Sequence, residues 1–326
     1  MTQPNKRPAR KAAPRKTVVT KGAPAVPEPT SPAAPPRVGM ASRLAANTPS
    51  GRLAVRKTYK LYVGGAFPRS ESGRTYPVTD SGGAFVANVA LASRKDVRDA
   101  VVAAAKAFSG WAARTPYNRG QILYRAAEML EGRRAEFVEL GVAHTEVDAA
   151  VDRWVWYAGW ADKYAQVVGA TNPVSGPYLN LSTPEPAGVV GVLAPPAAQL
   201  LGLVSVVAPV IATGNTCVVL ASQAHPLAAV TLGEVLATSD VPGGVVNLLT
   251  GRTEELGPWL ASHEEVRGID LTGADARQAA EWEALAAANL KRVRRPDPAE
   301  DFTADPELSR LTTFVETKTV WHPIGV

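Results

Sequence analysis

The chain has 326 residues, 46% of them apolar, which suits one large globular domain or two ordinary ones. No apolar run reaches the roughly 20 residues of a membrane span, the N-terminus lacks the apolar stretch of a secretory signal, and the single cysteine excludes an intrachain disulfide, so a soluble cytoplasmic protein is expected. The net charge of +5 belongs to one end: residues 1–50 carry nine lysines and arginines against Glu28 alone, which leaves the rest mildly acidic.

Residues 1–54 therefore stand apart. Ten prolines among the first fifty residues give a segment that cannot bury enough apolar surface to offset its ordering entropy, and it is expected to be disordered. Its charge suits an acidic partner, RNA or otherwise; a solubilising tail is the plainer reading.

Order begins near Tyr59, where Tyr59-Lys-Leu-Tyr-Val-Gly-Gly65 reads as a strand and turn. Ser93 is a plausible helix start, with Val97, Ala100, Val101 and Ala104 at helical spacing behind it. Further helices are expected over residues 116–130, 133–144 and 148–168. The last carries Trp154, Trp156, Tyr157, Trp160 and Tyr164 at a spacing that suits core packing better than an aromatic ligand cage. Asp148 and Asp152, four residues apart, fit a solvated helix face better than a catalytic pair.

From Val189 short β-branched runs alternate with helices. Strands are expected at 189–193, 216–220, 245–249 and 266–271, and helices at 200–212, 227–237, 254–262 and 276–289. This is the pattern of an α/β fold, a Rossmann-like doubly wound parallel sheet covered on both faces. Such sheets bind ligands at the strands' carboxyl ends, where helix N-termini offer free N–H groups. The four histidines, His144, His225, His263 and His322, share no metal-ligand spacing.

Three stretches carry a family resemblance: Pro184-Glu-Pro-Ala-Gly-Val-Val-Gly-Val, Ala208-Pro-Val-Ile-Ala-Thr-Gly-Asn-Thr216 and Val241-Pro-Gly-Gly-Val-Val-Asn-Leu-Leu-Thr-Gly251. With the helices before them they resemble the nucleotide-binding half of the aldehyde dehydrogenase family. Residues 55–293 are assigned to that domain. The closing segment 311–326, with Phe314-Val-Glu-Thr-Lys-Thr-Val-Trp321, looks like the strand that ends the family's chain. The family places its catalytic domain between the two. Here residues 294–310 stand in its place, and they are expected to form a linker.

The resemblance implies NAD or NADP as cofactor, and this sequence departs from the family at each position that would hold it. Ala197 stands where the family's asparagine donates to the developing oxyanion, a loss of about 3–4 kcal/mol of transition-state stabilisation. Leu220 and Gln223 replace the lysine and glutamate that hold the adenine ribose. Gly251 and Thr272-Gly273 keep the glycine turns, but Ala274 lacks the family's serine hydroxyl and Asp275 brings a carboxylate to the helix end that should meet pyrophosphate. Cofactor binding is expected to be weakened. The family's catalytic glutamate motif is replaced by Arg294-Arg-Pro296, and the sole cysteine, Cys217, falls in an expected buried strand, a poor place for a nucleophile.

These departures imply a catalytically inactive subunit. The family pairs its arm and terminal strand with a neighbouring subunit. The counterparts here, 177–186 and 312–321, are expected to leave exposed strand edges for a full-length aldehyde dehydrogenase. The alternatives are an NAD(P)-dependent aldehyde dehydrogenase in its own right and a nucleotide sensor without chemistry.

Overall fold

The computed structural model describes residues 56–197 and 199–325. The tail expected at 1–54 lies outside these residues. After Arg56, β1 (Thr58–Tyr59), β2 (Thr75–Thr79) and β3 (Phe85–Ala90) form a small sheet in the order β1-β3-β2. Gly64 and Gly65 take φ of 62° and 81° in the expected turn, angles that favour glycine. Helix α1 (Arg94–Ala112) starts at Ser93, and the Asp96 carboxylate accepts from Ser93 N at 2.7 Å to complete a capping box. The same carboxylate accepts from Ser70 Oγ at 2.8 Å and Glu71 N at 3.0 Å, which ties the helix start to the loop before β2.

Helix α2 (Pro116–Gly132) follows as expected. The helix expected over 133–144 is shorter, α3 (Arg134–Glu139), because Gly141 leaves the helical region at φ +90°. The helix expected from Asp148 starts earlier. Helix α4 (His144–Trp160) has Glu146 in its first turn, and the chain breaks at 161–163 before α5 (Tyr164–Val168). Beyond the break Tyr164 donates to the Thr213 carbonyl at 3.4 Å, a tertiary contact no local pattern announces. Trp154, Tyr157 and Tyr164 are buried, and Trp156 packs edge-on to Tyr157 at 4.8 Å, so the aromatic run is core. Asp148 is exposed and accepts from Arg134 Nη1.

Two arm strands come next, β4 (Ala170–Asn172) and β5 (Tyr178–Pro186). The main sheet then forms from β6 (Val189–Leu193), α6 (Leu201–Ala212), β7 (Thr216–Leu220), α7 (Pro226–Ala237), β8 (Val246–Leu249), α8 (Thr253–Ser262), β9 (Val266–Asp270), α9 (Ala276–Ala287) and β10 (Arg292–Arg294). Its strand order is β10-β9-β6-β7-β8, with every neighbouring pair parallel. Alternate side chains leave a strand on opposite faces. Val190, Val192, Cys217 and Val219 join the core that holds α4 and α6; Val189, Leu193, Val218 and Leu220 join the one that holds α1, α8 and α9. Both faces are covered, which explains why these strands read as unbroken apolar runs. Every residue of α6 is buried.

After β10 the chain runs through residues 295–308 and helix α10 (Ser309–Thr312) to β11 (Val315–Pro323). The segment expected as a linker is packed down: Phe302 and Arg310 are buried. The arm and terminal strand also differ from expectation. They do not both present free edges, because β11 pairs antiparallel with β5 along its whole length, from Val315 opposite Pro186 to Pro323 opposite Tyr178. The resulting sheet has the order β11-β5-β4, so among the described residues the open edges are the outer side of β11 and the short β4.

A buried side-chain amide, together with Ala187 N–H, holds the entry to β11 at Phe314 O. Asn215 Nδ2 donates to Phe314 O at 2.9 Å, and Asn215 Oδ1 accepts from Gly188 N at 2.9 Å. The Phe314 ring lies on Gly268, where any Cβ would sit 2.5 Å from it. Replacing Asn215 by alanine strips Gly188 N of its acceptor at a buried site, a cost of about 2 kcal/mol. Asn215→Ala is therefore expected to lower the urea midpoint and to speed amide exchange across residues 315–323; an unchanged midpoint contradicts this role.

Candidate functional site

The carboxyl ends of the five strands are laced together. Ala194 N donates to Leu220 O at 3.0 Å, Ala221 N to Leu249 O at 2.8 Å, Gly273 N to Leu193 O at 3.0 Å and Leu271 N to Arg294 O at 2.9 Å. Gly273 passes so close to β6 that an added Cβ would lie 2.2 Å from Ala194 O, so this turn admits only glycine. Gly251, at φ +153°, makes the corresponding turn after β8.

The residues singled out from sequence fall along this end of the sheet but do not share one surface. Ala197 is exposed beyond β6. Leu220 is not available to a ligand: as the last residue of β7 it points into the core beneath α1, at 2% exposure. An apolar side chain gains more from the core than from a polar mouth. Gln223 is exposed and donates to Glu254 Oε2 at 3.0 Å. Thr272 is half-buried, and Ala274 is buried against the face that holds α9.

Helix N-termini at this edge are the usual anion seats, because their first N–H groups lack partners and the helix dipole favours negative charge. Here the chain's own carboxylates bond to the amides at two of them, and a third has a carboxylate in its first turn. At α6, Glu146 Oε1 accepts from Leu200 N at 2.8 Å and Leu201 N at 3.2 Å. At α9, Asp275 Oδ1 accepts from Gln278 N at 2.8 Å, and Gln278 returns a bond to Asp275 N. At α8, the Glu254 carboxyl is held below the usual carboxylate range, first by its own backbone N–H and then by Gln223. The capping role of Asp275 was legible from its position. Glu146 was missed, because it lies 54 residues from the amides it caps.

The end of β9 carries a clasp. Asp270, 1% exposed, accepts from Arg310 Nη1 at 2.9 Å, while Arg310 Nε and Nη2 reach Glu300 at 2.8 and 2.6 Å. Arg310 Nη2 also donates to Thr272 Oγ1 at 3.2 Å, and Thr272 Oγ1 donates to Asp270 Oδ1. Burial works to lower the Arg310 pKa, but Asp270 and Glu300 outweigh it and the guanidinium is raised. Residues 295–312 are thus drawn over the place where β9 ends. Arg153 of α4 holds the same segment from the other side, donating to Ser205 Oγ at 2.8 Å, Phe302 O at 2.7 Å and Ala304 O at 2.9 Å.

Cys217 sits in mid-β7, wholly buried, and burial pushes its thiol up. Among the described residues no group of histidine, cysteine and carboxylate side chains is placed to hold a metal, and no helix is long and apolar enough to cross a membrane.

Two outcomes follow from this geometry. Arg310→Met strands the Asp270 carboxylate and is expected to cost about 3–5 kcal/mol of stability, with part recovered in the Arg310→Met/Asp270→Ala double variant; chemical denaturation of the four proteins measures this. Iodoacetamide at neutral pH is expected to leave Cys217 unmodified in the native protein and to alkylate it in urea, read by intact mass.

Residues 67–294 match the family model described as "Aldehyde dehydrogenase family". Mouse cytosolic 10-formyltetrahydrofolate dehydrogenase is 32% identical over 259 residues, 74% of this chain and 28% of that protein. Human retinal dehydrogenase 2 is 32% identical over 274 residues, 80% of this chain and 52% of that protein. The NAD+ complex of aldehyde dehydrogenase from Bacillus cereus superposes with a TM-score of 0.69 at 27% identity, covering 73% of this chain and 50% of that one. The chain thus spans about half the length, or less, of the relatives it matches. The family match, the parallel sheet and its glycine turns agree, and the chain belongs to the aldehyde dehydrogenase family.

Proposed function

We propose that this chain is a non-catalytic aldehyde dehydrogenase subunit that docks on a full-length relative by strand addition. The observation that carries the reading is the path from β10 to β11. Between Arg294 and Val315 the chain crosses directly from the nucleotide-binding sheet to the terminal strand, and it is clasped there by Arg310. Among the described residues no thiol lies at the carboxyl ends of β6 and β9, since Cys217 is buried in mid-β7, and the glutamates there are engaged, Glu146 by the amides of Leu200 and Leu201 and Glu300 by Arg310. Without a nucleophile and its activating base the acyl chemistry of the family has no first step.

The docking surface in this reading is the outer edge of β11. Residues Glu316 to Pro323 are exposed, and Leu179, Leu181, Val320 and Trp321 are exposed on the same small sheet. The nine-residue β11 is paired on one side only among the described residues, and its outer edge is a template for another chain's strand. A complete aldehyde dehydrogenase is the partner that the family's own architecture supplies.

The family likeness and the NAD+ complex of the Bacillus cereus relative support a nucleotide of that kind for the sheet. The carboxylates of Glu146, Glu254 and Asp275 support a weakened hold on it, because each takes a helix field that a phosphate would use.

Co-expression with a complete aldehyde dehydrogenase from the same genome, followed by affinity capture and mass spectrometry, tests the docking. Recovery in a stable complex that Val320→Glu/Trp321→Glu disrupts is expected; recovery only as a monomer or homomer counts against it. Calorimetry with NAD and NADP on the chain alone is expected to give dissociation constants weaker than about 1 μM. Aldehyde-dependent reduction of NAD by the isolated chain would overturn the non-catalytic reading.

A further inference from the structure

The small sheet before α1 turns one face to the core and the other to a hollow. Strand pairing sets Thr58 beside Asn88 and Thr75 beside Ala90. Their neighbours Tyr59, Val89 and Tyr76 pack into the core beneath the sheet. Side chains alternate across a strand, so the first set takes the opposite face. There it lines a cavity of about 210 Å³, which Lys60, Arg69 and Arg74 complete. That is room for roughly seven waters at their share of liquid volume, enough for a small solute.

The wall that carries the two arginines is built rather than loose. The buried Asp96 carboxylate accepts from Ser70 Oγ at 2.8 Å and Glu71 N at 3.0 Å. Gly73 N donates to Ser70 O at 2.8 Å and closes a turn between the arginines. Leu61 N donates to Pro68 O at 3.1 Å, and Leu91 N donates to Arg74 O at 2.9 Å. The backbone under Arg69 and Arg74 is therefore fixed before any ligand arrives, which lowers the ordering cost of binding.

Charge at the cavity is unanswered. Lys60, Arg69 and Arg74 are all exposed, and among the described residues none of the three makes a side-chain hydrogen bond or an ion pair. The nearby carboxylates are committed elsewhere. Asp96 serves Ser70, Glu71 N and Ser93 N, and Glu71 takes Lys95 Nζ at 3.4 Å and Ser93 Oγ at 3.2 Å. The side chains of Thr58, Thr75 and Asn88 are exposed too and add two hydroxyls and an amide without partners. One arginine on a surface needs only water. Three cations around one small hollow repel each other, and an anion placed among them removes that repulsion.

The number of charges selects the anion. A single carboxylate carries one negative charge and leaves two cations unmatched. A phosphomonoester carries about −1.5 to −2 at neutral pH on three acceptor oxygens. Guanidinium forks match such oxygens in pairs. We propose that this cavity binds the phosphoryl group of a small phosphomonoester, with Arg69 and Arg74 clasping its oxygens, Lys60 adding the third charge, and Asn88 and the threonines donating from the floor. The site goes beyond the docking reading and does not depend on it.

The test is calorimetry on the full chain at low ionic strength with inorganic phosphate and glycerol 3-phosphate, beside acetate and succinate as carboxylate controls. At least one phosphoryl probe is expected to bind at least tenfold more tightly than either control, and to weaken as salt is raised to about 0.15 M. Arg69→Gln/Arg74→Gln removes side chains that touch nothing else, so the variant is expected to melt like the parent and to lose at least tenfold in affinity. Asn88→Ala is expected to give a smaller loss. No phosphoryl binding at about 10 mM overturns the proposal. So does succinate binding as tightly as phosphate. Affinity indifferent to Arg69→Gln/Arg74→Gln also overturns it, because the anion then sits elsewhere, as at the helix starts of the main sheet.

Discussion

The contact between Arg310 and the Asp270–Glu300 pair governs how this molecule closes. Asp270 ends a central strand at 1% exposure, and Arg310 reaches it at 7%. Neither charge can be buried alone without a penalty of several kcal/mol. Together they force residues 295–312 to lie against the sheet, and that path delivers the chain to Phe314 and the start of β11. Phe302 and Arg153 reinforce the same path with apolar burial and carbonyl contacts. A segment that composition marks as a spacer is therefore a structural element with charge at its centre.

A second theme is the use of carboxylates at the ligand-binding edge. In a doubly wound sheet the helix N-termini collect there, and their unmet N–H groups are what phosphate-bearing ligands exploit. Glu146 and Asp275 satisfy such groups internally at α6 and α9, and Glu254 lies in the first turn of α8. Each substitution of protein carboxylate for ligand gains local stability for the helix. The same step removes positive field from the site. The edge therefore carries negative charge of its own beside the starts of α6, α8 and α9.

Most of the main sheet was legible because its strands are buried on both faces and write themselves as short β-branched runs between glycine turns. Val189–Leu193 and Thr216–Leu220 form as read, and Gly273 sits at a turn that geometry restricts to glycine. What was not legible depends on partners distant in sequence. The break at 161–163 has no proline or glycine to mark it. Glu146 caps the amides of Leu200 and Leu201, more than fifty residues away, and no local pattern signals that. Nothing near Arg310 or Asp270 in the sequence marks either for burial, since a chain with 20% charged residues offers no local sign of which will be buried. The direction of Leu220 is set by the pleat, which sends it to the core.

The ladder between β5 and β11 has a kinetic consequence. Pro186 must wait for Val315, so every residue of the nucleotide-binding sheet is synthesised between the two halves of one strand pair. At ribosomal rates that interval is on the order of ten seconds. Throughout it the nascent β5 offers Leu179 and Leu181 beside an unsatisfied backbone edge. A chaperone, or a partner strand already present in the cell, can reach that edge before the chain's own terminus arrives. Closure of this sheet is therefore a late event, set by the arrival of the C-terminal strand.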